Sequence, residues 1–261
     1  MPDTPALIES RRFGMRAIPL LRPLGWLALG WHDLMRCPLP GLLHGLAAAL
    51  VGAALIWLAH DSFWLLSGAF TGFLLVAPLL ATGLYAISRA LERGERADLS
   101  VALAAWRPDG RLMVFGLLLA FAGTGWVLTS ASLITGFAPF PVRGPLDFLR
   151  VVVLNQNSYL FETWLAMGAL LAAPVFASSV VAIPLLLDRP VGVLAAVLTS
   201  WRVVQTHPLP MALWAGLLMG LTVLGMLTGL LGLVVIAPWL AHASWHAYRD
   251  LVSSVGLAEQ T

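Results

Sequence analysis

Four stretches of this chain, Pro40 to Ala59, Phe63 to Ile87, Leu112 to Phe137 and Phe161 to Leu187, run for twenty residues or more with almost no charge. A hydrocarbon core about 30 Å thick is crossed by about 20 helical residues rising 1.5 Å each, so each stretch is long enough to span a bilayer. A fifth stretch, Pro208 to Trp245, is far longer than one crossing needs, and Gly225, Thr228 and Gly229 near its middle supply turn chemistry. Split there, it yields two more helices. The expected fold is all-α: a polytopic bundle of six transmembrane helices at about 40–59, 63–87, 112–137, 161–187, 209–226 and 229–247. These would lie in one domain at 22–251, between an N-terminal tail at 1–21 and a C-terminal tail at 252–261. With 59% hydrophobic and 11% charged residues and a mean hydropathy of +0.87, the composition is too apolar for a soluble domain.

Arginine placement orients the bundle. All 15 basic residues are arginine. If the N-terminus is cytoplasmic, Arg11, Arg12, Arg16, Arg22, Arg36, Arg89, Arg93, Arg96, Arg107, Arg111, Arg189, Arg202 and Arg249 fall inside, and Arg143 and Arg150 outside. That pattern predicts a multi-pass membrane protein with both termini in the cytoplasm. The pI near 9 then needs no nucleic-acid partner. Arg22, Pro19 and Pro23 interrupt the early sequence, so no cleavable signal is expected. Cys37 has no intrachain partner and falls on the reducing side, where it is expected to be inert. The sizeable external loop, Ala138 to Leu160, is stiffened by Pro139, Pro141 and Pro145, with a short helix expected over Leu146 to Leu154.

An internal repeat underlies the spans. Ala-Pro-x-x-Ala occurs at Ala77 to Ala81, Ala173 to Ala177 and Ala237 to Ala241, which puts Pro78, Pro174 and Pro238 on the returning helix of three successive hairpins. Each outgoing helix is preceded by a mixed segment suited to the membrane interface: Leu24 to Arg36, Leu99 to Trp106 and Val191 to Gln205. Trp31 and Trp201 stand 170 positions apart, as do Pro38-Leu39-Pro40 and Pro208-Leu209-Pro210. The pattern predicts three parallel units, each an interfacial helix followed by a hairpin. The prolines are expected to kink their helices, each removing one backbone donor that the bundle must compensate. Gly41/Gly45, Gly68/Gly72, Gly216/Gly220 and Gly225/Gly229 are spaced for close helix packing.

Reactive chemistry is sparse. Phosphate-binding loops, a serine nucleophile elbow, HExxH and paired catalytic carboxylates are missing from the sequence, so no enzyme and no cofactor are expected. His242 and His246, four apart on the last helix, are weak metal or haem candidates; their ordinary role would be interfacial, bonding water or backbone beside Trp245 and Tyr248. His32 and His207 lie on the same side. His44, in the first span, is expected to hydrogen-bond across helices. Glu162 and Asp61, with His60, are expected at solvated outer ends, leaving no midplane carboxylate of the kind a proton-coupled carrier would hold. At the inner end of the second span Gly94 is placed to stop the helix, and Glu92 and Arg96 have i,i+4 spacing. Tyr85, Arg89, Glu92, Arg93, Tyr248 and Arg249 are the candidate contacts for anionic lipid headgroups or a membrane or cytoplasmic protein partner. Arg89 and Arg249 occupy matching repeat positions, where the middle unit has Leu185.

The segments Gly25 to Asp33, Ala77-Pro78-Leu79-Leu80-Ala81-Thr82-Gly83-Leu84-Tyr85-Ala86-Ile87-Ser88-Arg89-Ala90-Leu91-Glu92-Arg93-Gly94-Glu95, and His242-Ala243-Ser244-Trp245-His246-Ala247-Tyr248-Arg249-Asp250 together resemble the bacterial domain-of-unknown-function 2189 family of predicted integral membrane proteins. The resemblance implies a location in a bacterial inner (cytoplasmic) membrane and no activity. The functional expectation is a non-enzymatic scaffold, or a lipid- or partner-binding protein. The alternatives are a carrier for a small or lipid-like molecule, lined by residues such as Thr82, Ser178 and Ser179, and a haem or metal redox subunit using His242 and His246.

Overall fold

The structure is a computed structural model and describes residues 4–58, 81–106, 109–254 and 257. The helices are α1 (Pro5–Arg11), α2 (Arg22–Arg36), α3 (Pro38–Leu58), α4 (Thr82–Glu92), α5 (Leu99–Ala104), α6 (Gly110–Phe137), α7 (Leu160–Ser179), α8 (Ala182–Asp188), α9 (Val193–Thr206), α10 (Pro208–Leu227) and α11 (Leu233–Leu251). Two short strands, β1 (Gly14–Met15) and β2 (Val252–Ser253), pair antiparallel. Among the described residues four helical stretches are long and apolar enough to cross a membrane: Pro38–Trp57, Gly110–Phe137, Leu160–Asp188 and Pro208–Leu227. The expected second span, 63–87, and with it Pro78, Gly68/Gly72, His60 and Asp61, lies largely or wholly outside the described residues. Helix α11 is not among the four, because its C-terminal half carries His242, His246, Arg249 and Asp250.

The chain divides into two compact units, one of residues 1–50, 78–115 and 176–261, the other of 51–77 and 116–175. In the first, the element boundaries follow from local chemistry. Residues before proline avoid the helical region, and Cys37 (φ −137°, ψ 66°) and His207 (φ −128°, ψ 57°) break the chain in the same way ahead of Pro38 and Pro208. The two breaks separate α2 from α3 and α9 from α10. Helix α4 stops where Gly94 takes φ +70°, and its last turn closes through Glu95 N–H to the Ala90 carbonyl, 2.9 Å. Asp98 caps α5, accepting from Ser100 N–H at 2.9 Å. Between α10 and α11, Gly229 and Leu230 both have positive φ, while the Thr228 hydroxyl donates to the Gly225 carbonyl and accepts from Gly232 N–H, each at 2.8 Å. The expected turn is therefore present.

Helix α11 is the centre of this unit. It packs against α2, α4, α8 and α10, and buries Trp245, Tyr248, Leu251 and His242. A Cβ on Gly30 of α2 would fall 2.5 Å from the Ala243 nitrogen, and one on Gly45 of α3 would fall 2.0 Å from the Val234 carbonyl oxygen. Glycine is required at both positions by helix approach. Gly216 and Gly220 face open space, so the packing role expected for that pair is not realised among the described residues. Helices α2, α5 and α9, the three expected interfacial segments, pack against α11, α4 and α8 respectively. The core between α2, α10 and α11 includes Trp26, Trp214 and Met211, with the two indoles edge to face at 5.4 Å.

In the second unit Ile134, Val142, Val152 and Leu160 form a core under the loop. The Trp164 indole donates to Ser130 Oγ at 2.7 Å and lies 5.4 Å from Trp126. The short helix expected over Leu146 to Leu154 is a single turn at Pro145–Asp147 followed by a π-helical segment, Phe148–Val153.

Candidate functional site

Polar side chains have to be satisfied where helices pack, and in the first unit they gather in two groups on α2, α4, α8 and α11. The first is built around Asp33, on the face of α2 that also buries Trp26, Gly30 and Leu34. Its Oδ2 accepts from the Ser88 hydroxyl of α4 at 2.7 Å and lies 2.7 Å from His246 Nε2 of α11. Ser88 Oγ is in turn 2.7 Å from His242 Nδ1. Ser88 and His242 are fully buried and Asp33 nearly so. Burial by itself would raise the Asp33 carboxyl, but the hydrogen bonds from His246 and Ser88 and the neighbouring imidazoles outweigh it and hold the group below the ordinary carboxylate range.

The donor inventory assigns the tautomers. Ser88 has one hydrogen and gives it to Asp33, so His242 Nδ1 must be the N–H that donates to Ser88. A carboxylate only accepts, so His246 Nε2 carries a hydrogen. His44 Nδ1 is 2.7 Å from the carbonyl of Pro40 one turn earlier in α3, which also only accepts. In their neutral forms His242 and His44 therefore each carry a bare Nε2, and both atoms are buried with no partner among the described residues. The two rings share a neighbourhood: a Cβ on Gly41 would lie 3.8 Å from His242 Nε2, and one on Gly83 would lie 2.9 Å from His44 Nε2.

The second group is an ionic clasp. Asp188, at the end of α8, accepts from the Tyr248 hydroxyl at 2.8 Å and from Arg189 Nε at 3.0 Å, with Arg249 at 3.7 Å and Arg93 at 3.9 Å. Glu92, at the end of α4, pairs with Arg249 at 3.0 Å and accepts from the Trp245 indole at 3.2 Å. Arg249 thus joins two acids from two other helices. Glu92 and Asp188 each lie fourteen residues beyond a repeat proline, Pro78 and Pro174, and each is followed by an arginine, Arg93 and Arg189.

The termini close on the same unit. Asp250 accepts from the Trp26 indole at 2.9 Å and pairs with Arg22. Helix α1 is held on α9 by Arg202, which donates to the Ser10 carbonyl at 2.7 Å, and by Glu9, which accepts from Gly192 N–H at 3.2 Å.

Several sequence expectations change in this setting. His242 and His246, expected to bond water or backbone at an interface, meet the side chains of Ser88 and Asp33, because α2 and α4 pack on the face of α11 that carries them. His44 bonds within its own helix rather than across helices. Glu92 and Arg96 do not pair, since α4 ends at Glu92; Arg96 pairs with Asp98 instead. Tyr85 and Tyr248 are buried, and Arg89 donates to the Leu187 carbonyl at 3.2 Å, so in this unit these side chains touch protein. Pro174 and Pro238 lie inside α7 and α11. Cys37 is buried, its thiol donating to the Ala97 carbonyl at 3.0 Å. His32 is exposed and His207 buried at the end of α9. The sequence alone assigns no role to Asp33, Ser88 or Asp188. The acid-arginine pairs at matching distances from Pro78 and Pro174 were the available signal for Asp188. Among the described residues no group of three or more potential ligands could hold a metal ion.

The apolar helices and the buried polar groups between them are those of a membrane bundle, and a family comparison agrees. Residues 65–188 match the family described as predicted integral membrane proteins, DUF2189. The DUF2189 segment contains Ser88, Glu92 and Asp188, whereas Asp33, His242, His246 and Arg249 lie outside it, so both polar groups join the matched segment to the flanking chain. No curated protein and no solved structure matches the chain.

Proposed function

We propose that this integral membrane protein is a non-enzymatic, six-span scaffold of a bacterial inner membrane, built as three hairpins each preceded by an interfacial helix, with both termini cytoplasmic and its inner face turned to anionic lipid headgroups. The observation that carries the reading is the second face of α2. One face of this helix is packed against α11, yet Leu24 and Met35 on the other are 48% and 50% exposed, with Leu20 and Leu21 just ahead of them, and Trp31, edge to face with Trp239 of α11, is still 42% exposed. A helix lying between protein and water would be polar there; one lying between protein and the lipid interface is apolar on both faces, with arginines at its ends, here Arg22 and Arg36.

The β1–β2 pairing and the Arg22–Asp250 pair support an even number of crossings, since the residues just before α2 and just after α11 must share one side of the membrane. The cyclic packing of α2 on α11, α5 on α4 and α9 on α8 supports three equivalent units, and the matching breaks at Cys37 and His207 support it independently. The lipid-contact role passes from Arg89 and Arg249, engaged inside the unit, to the exposed Arg12, Arg16 and Arg36.

Native mass spectrometry from nanodiscs containing phosphatidylethanolamine and phosphatidylglycerol tests the reading. Retained phosphatidylglycerol that falls in the Arg12→Gln, Arg16→Gln, Arg36→Gln variant supports it. Retention of a discrete small molecule or haem in place of lipid would favour a carrier or redox subunit and overturn it.

A further inference from the structure

We infer that Asp33, Ser88, His242 and His246 form a proton-binding relay that runs from the edge of the first unit to a buried imidazole. Three hydrogen bonds of 2.7 Å link the four side chains without a gap. His246 has a side chain 18% exposed, whereas His242 and Ser88 are fully buried. The relay therefore has one end within reach of water and one end inside.

Its hydrogens all point toward Asp33. His246 Nε2–H and Ser88 Oγ–H converge on one carboxylate oxygen, and His242 Nδ1–H points at Ser88. A proton arriving on the bare Nε2 of His242 makes that ring cationic. The ring then releases its Nδ1 hydrogen to Ser88 Oγ as Ser88 passes its own hydrogen to Asp33. The result is a neutral carboxyl, an unchanged hydroxyl and a neutral imidazole in the opposite tautomer, with no heavy-atom bond altered. From the other side, a proton taken up at His246 Nδ1 lets Nε2–H move onto the same carboxylate. Asp33 is the shared acceptor between an accessible and a buried imidazole.

Among the described residues the counter-charge for Asp33 comes from these rings. Glu92, Asp188 and Arg249 are engaged with one another, Arg22 with Asp250, and Arg89 with the Leu187 carbonyl. His32 and Arg36 on α2 are exposed, α10 contributes no titratable side chain, and His44 on α3 presents a second bare Nε2. A buried carboxylate whose neighbours are a hydroxyl and imidazoles has its charge compensated when one of the imidazoles binds a proton. The Nε2 of His242, buried with no partner among the described residues, is the atom at which the inner end loads.

Nitrogen-15 NMR of the protein labelled at its six histidines tests this in detergent or nanodiscs. The wild type is expected to show His242 protonated at Nδ1 and bare at Nε2, with His242 and His246 signals responding together as pH is lowered. Asp33→Asn should end the joint response, and Ser88→Ala should isolate His242 while His246 still senses Asp33. A wild-type His242 protonated at Nε2 would overturn the relay, and needs no variant to fold. So would an Asp33→Asn change felt by His246 and not by His242, with the other histidine signals in place.

Discussion

Arg249 on α11 lies 3.0 Å from Glu92 on α4 and 3.7 Å from Asp188 on α8, so one guanidinium ties the ends of three helices together. The two acids are not equivalent. Asp188 has a side chain 2% exposed and Glu92 one 39% exposed, and the energetics of ion pairs depend steeply on that difference. Replacing Asp188 by Asn leaves Arg189, itself buried, beside an uncharged group, and should cost about 3 kcal/mol or more. Glu92→Gln should cost about 0.5 kcal/mol. Thermal unfolding in detergent should therefore rank Asp188→Asn well below Glu92→Gln, and equal losses would contradict the clasp.

The glycines of α3 and α10 give a second contrast. Gly45→Ala places a methyl 2.0 Å from the Val234 carbonyl oxygen, so α3 and α11 must separate, whereas Gly220→Ala enters open space. The expected outcome is a clear fall in unfolding temperature for the first and a change near zero for the second, or a slight gain from helix propensity. Similar behaviour of the two variants would show that α3 does not approach α11 as described.

Acid should loosen the tie between the termini. Burial acts to raise the Asp250 carboxyl, but Arg22, the Trp26 indole and Arg16 outweigh it and hold the group below its ordinary value of about 3.9. For a carboxyl depressed by folding, the contribution to stability is full above the unfolded-state value and is lost as pH falls through the lower folded value. Unfolding temperature followed downward from pH 5 should decline below about pH 4 in the wild type. The Asp250→Asn protein should lack that share of the decline; identical curves would refute the assignment.

Cys37 should be slow toward maleimides in the folded protein. Burial and the nearby Asp98 charge raise its thiol, and the reactive form is the thiolate. Labelling should become complete only on unfolding. Rapid labelling of the native protein would mean that the contact between Cys37 and Ala97 is not kept.

Much of this architecture was legible in the sequence because it depends on local signals. Proline before a helix, glycine after one and twenty apolar residues in a row each act within a few positions; α2, α3, α9 and α10 lie where these signals put them, and α4 stops where Gly94 puts its end. The polar groups depend on which helix faces meet. Ser88 is 55 residues from Asp33 and 154 from His242, and nothing local brings them together. The spacing of His242 and His246 shows that they share one face of α11, but not that α2 and α4 cover it. Glu92 and Arg96 failed as a pair for the opposite reason, because a local stop at Gly94 took precedence over an i,i+4 spacing that needs helix to continue.

The six-span topology is tested most directly by cysteine accessibility. On a Cys37→Ser background, single cysteines replacing Arg12, Arg96, Asn155 or Leu231 would be exposed to a membrane-impermeant maleimide in right-side-out and inverted vesicles. Arg12, Arg96 and Leu231 are exposed in the structure, and Asn155 is half-buried. Arg12→Cys and Arg96→Cys are predicted to react only from the cytoplasmic side, and Asn155→Cys and Leu231→Cys only from the opposite side. Labelling of Leu231→Cys and Arg96→Cys from the same side would contradict the account, because α10 and α11 would then not be a hairpin across the membrane.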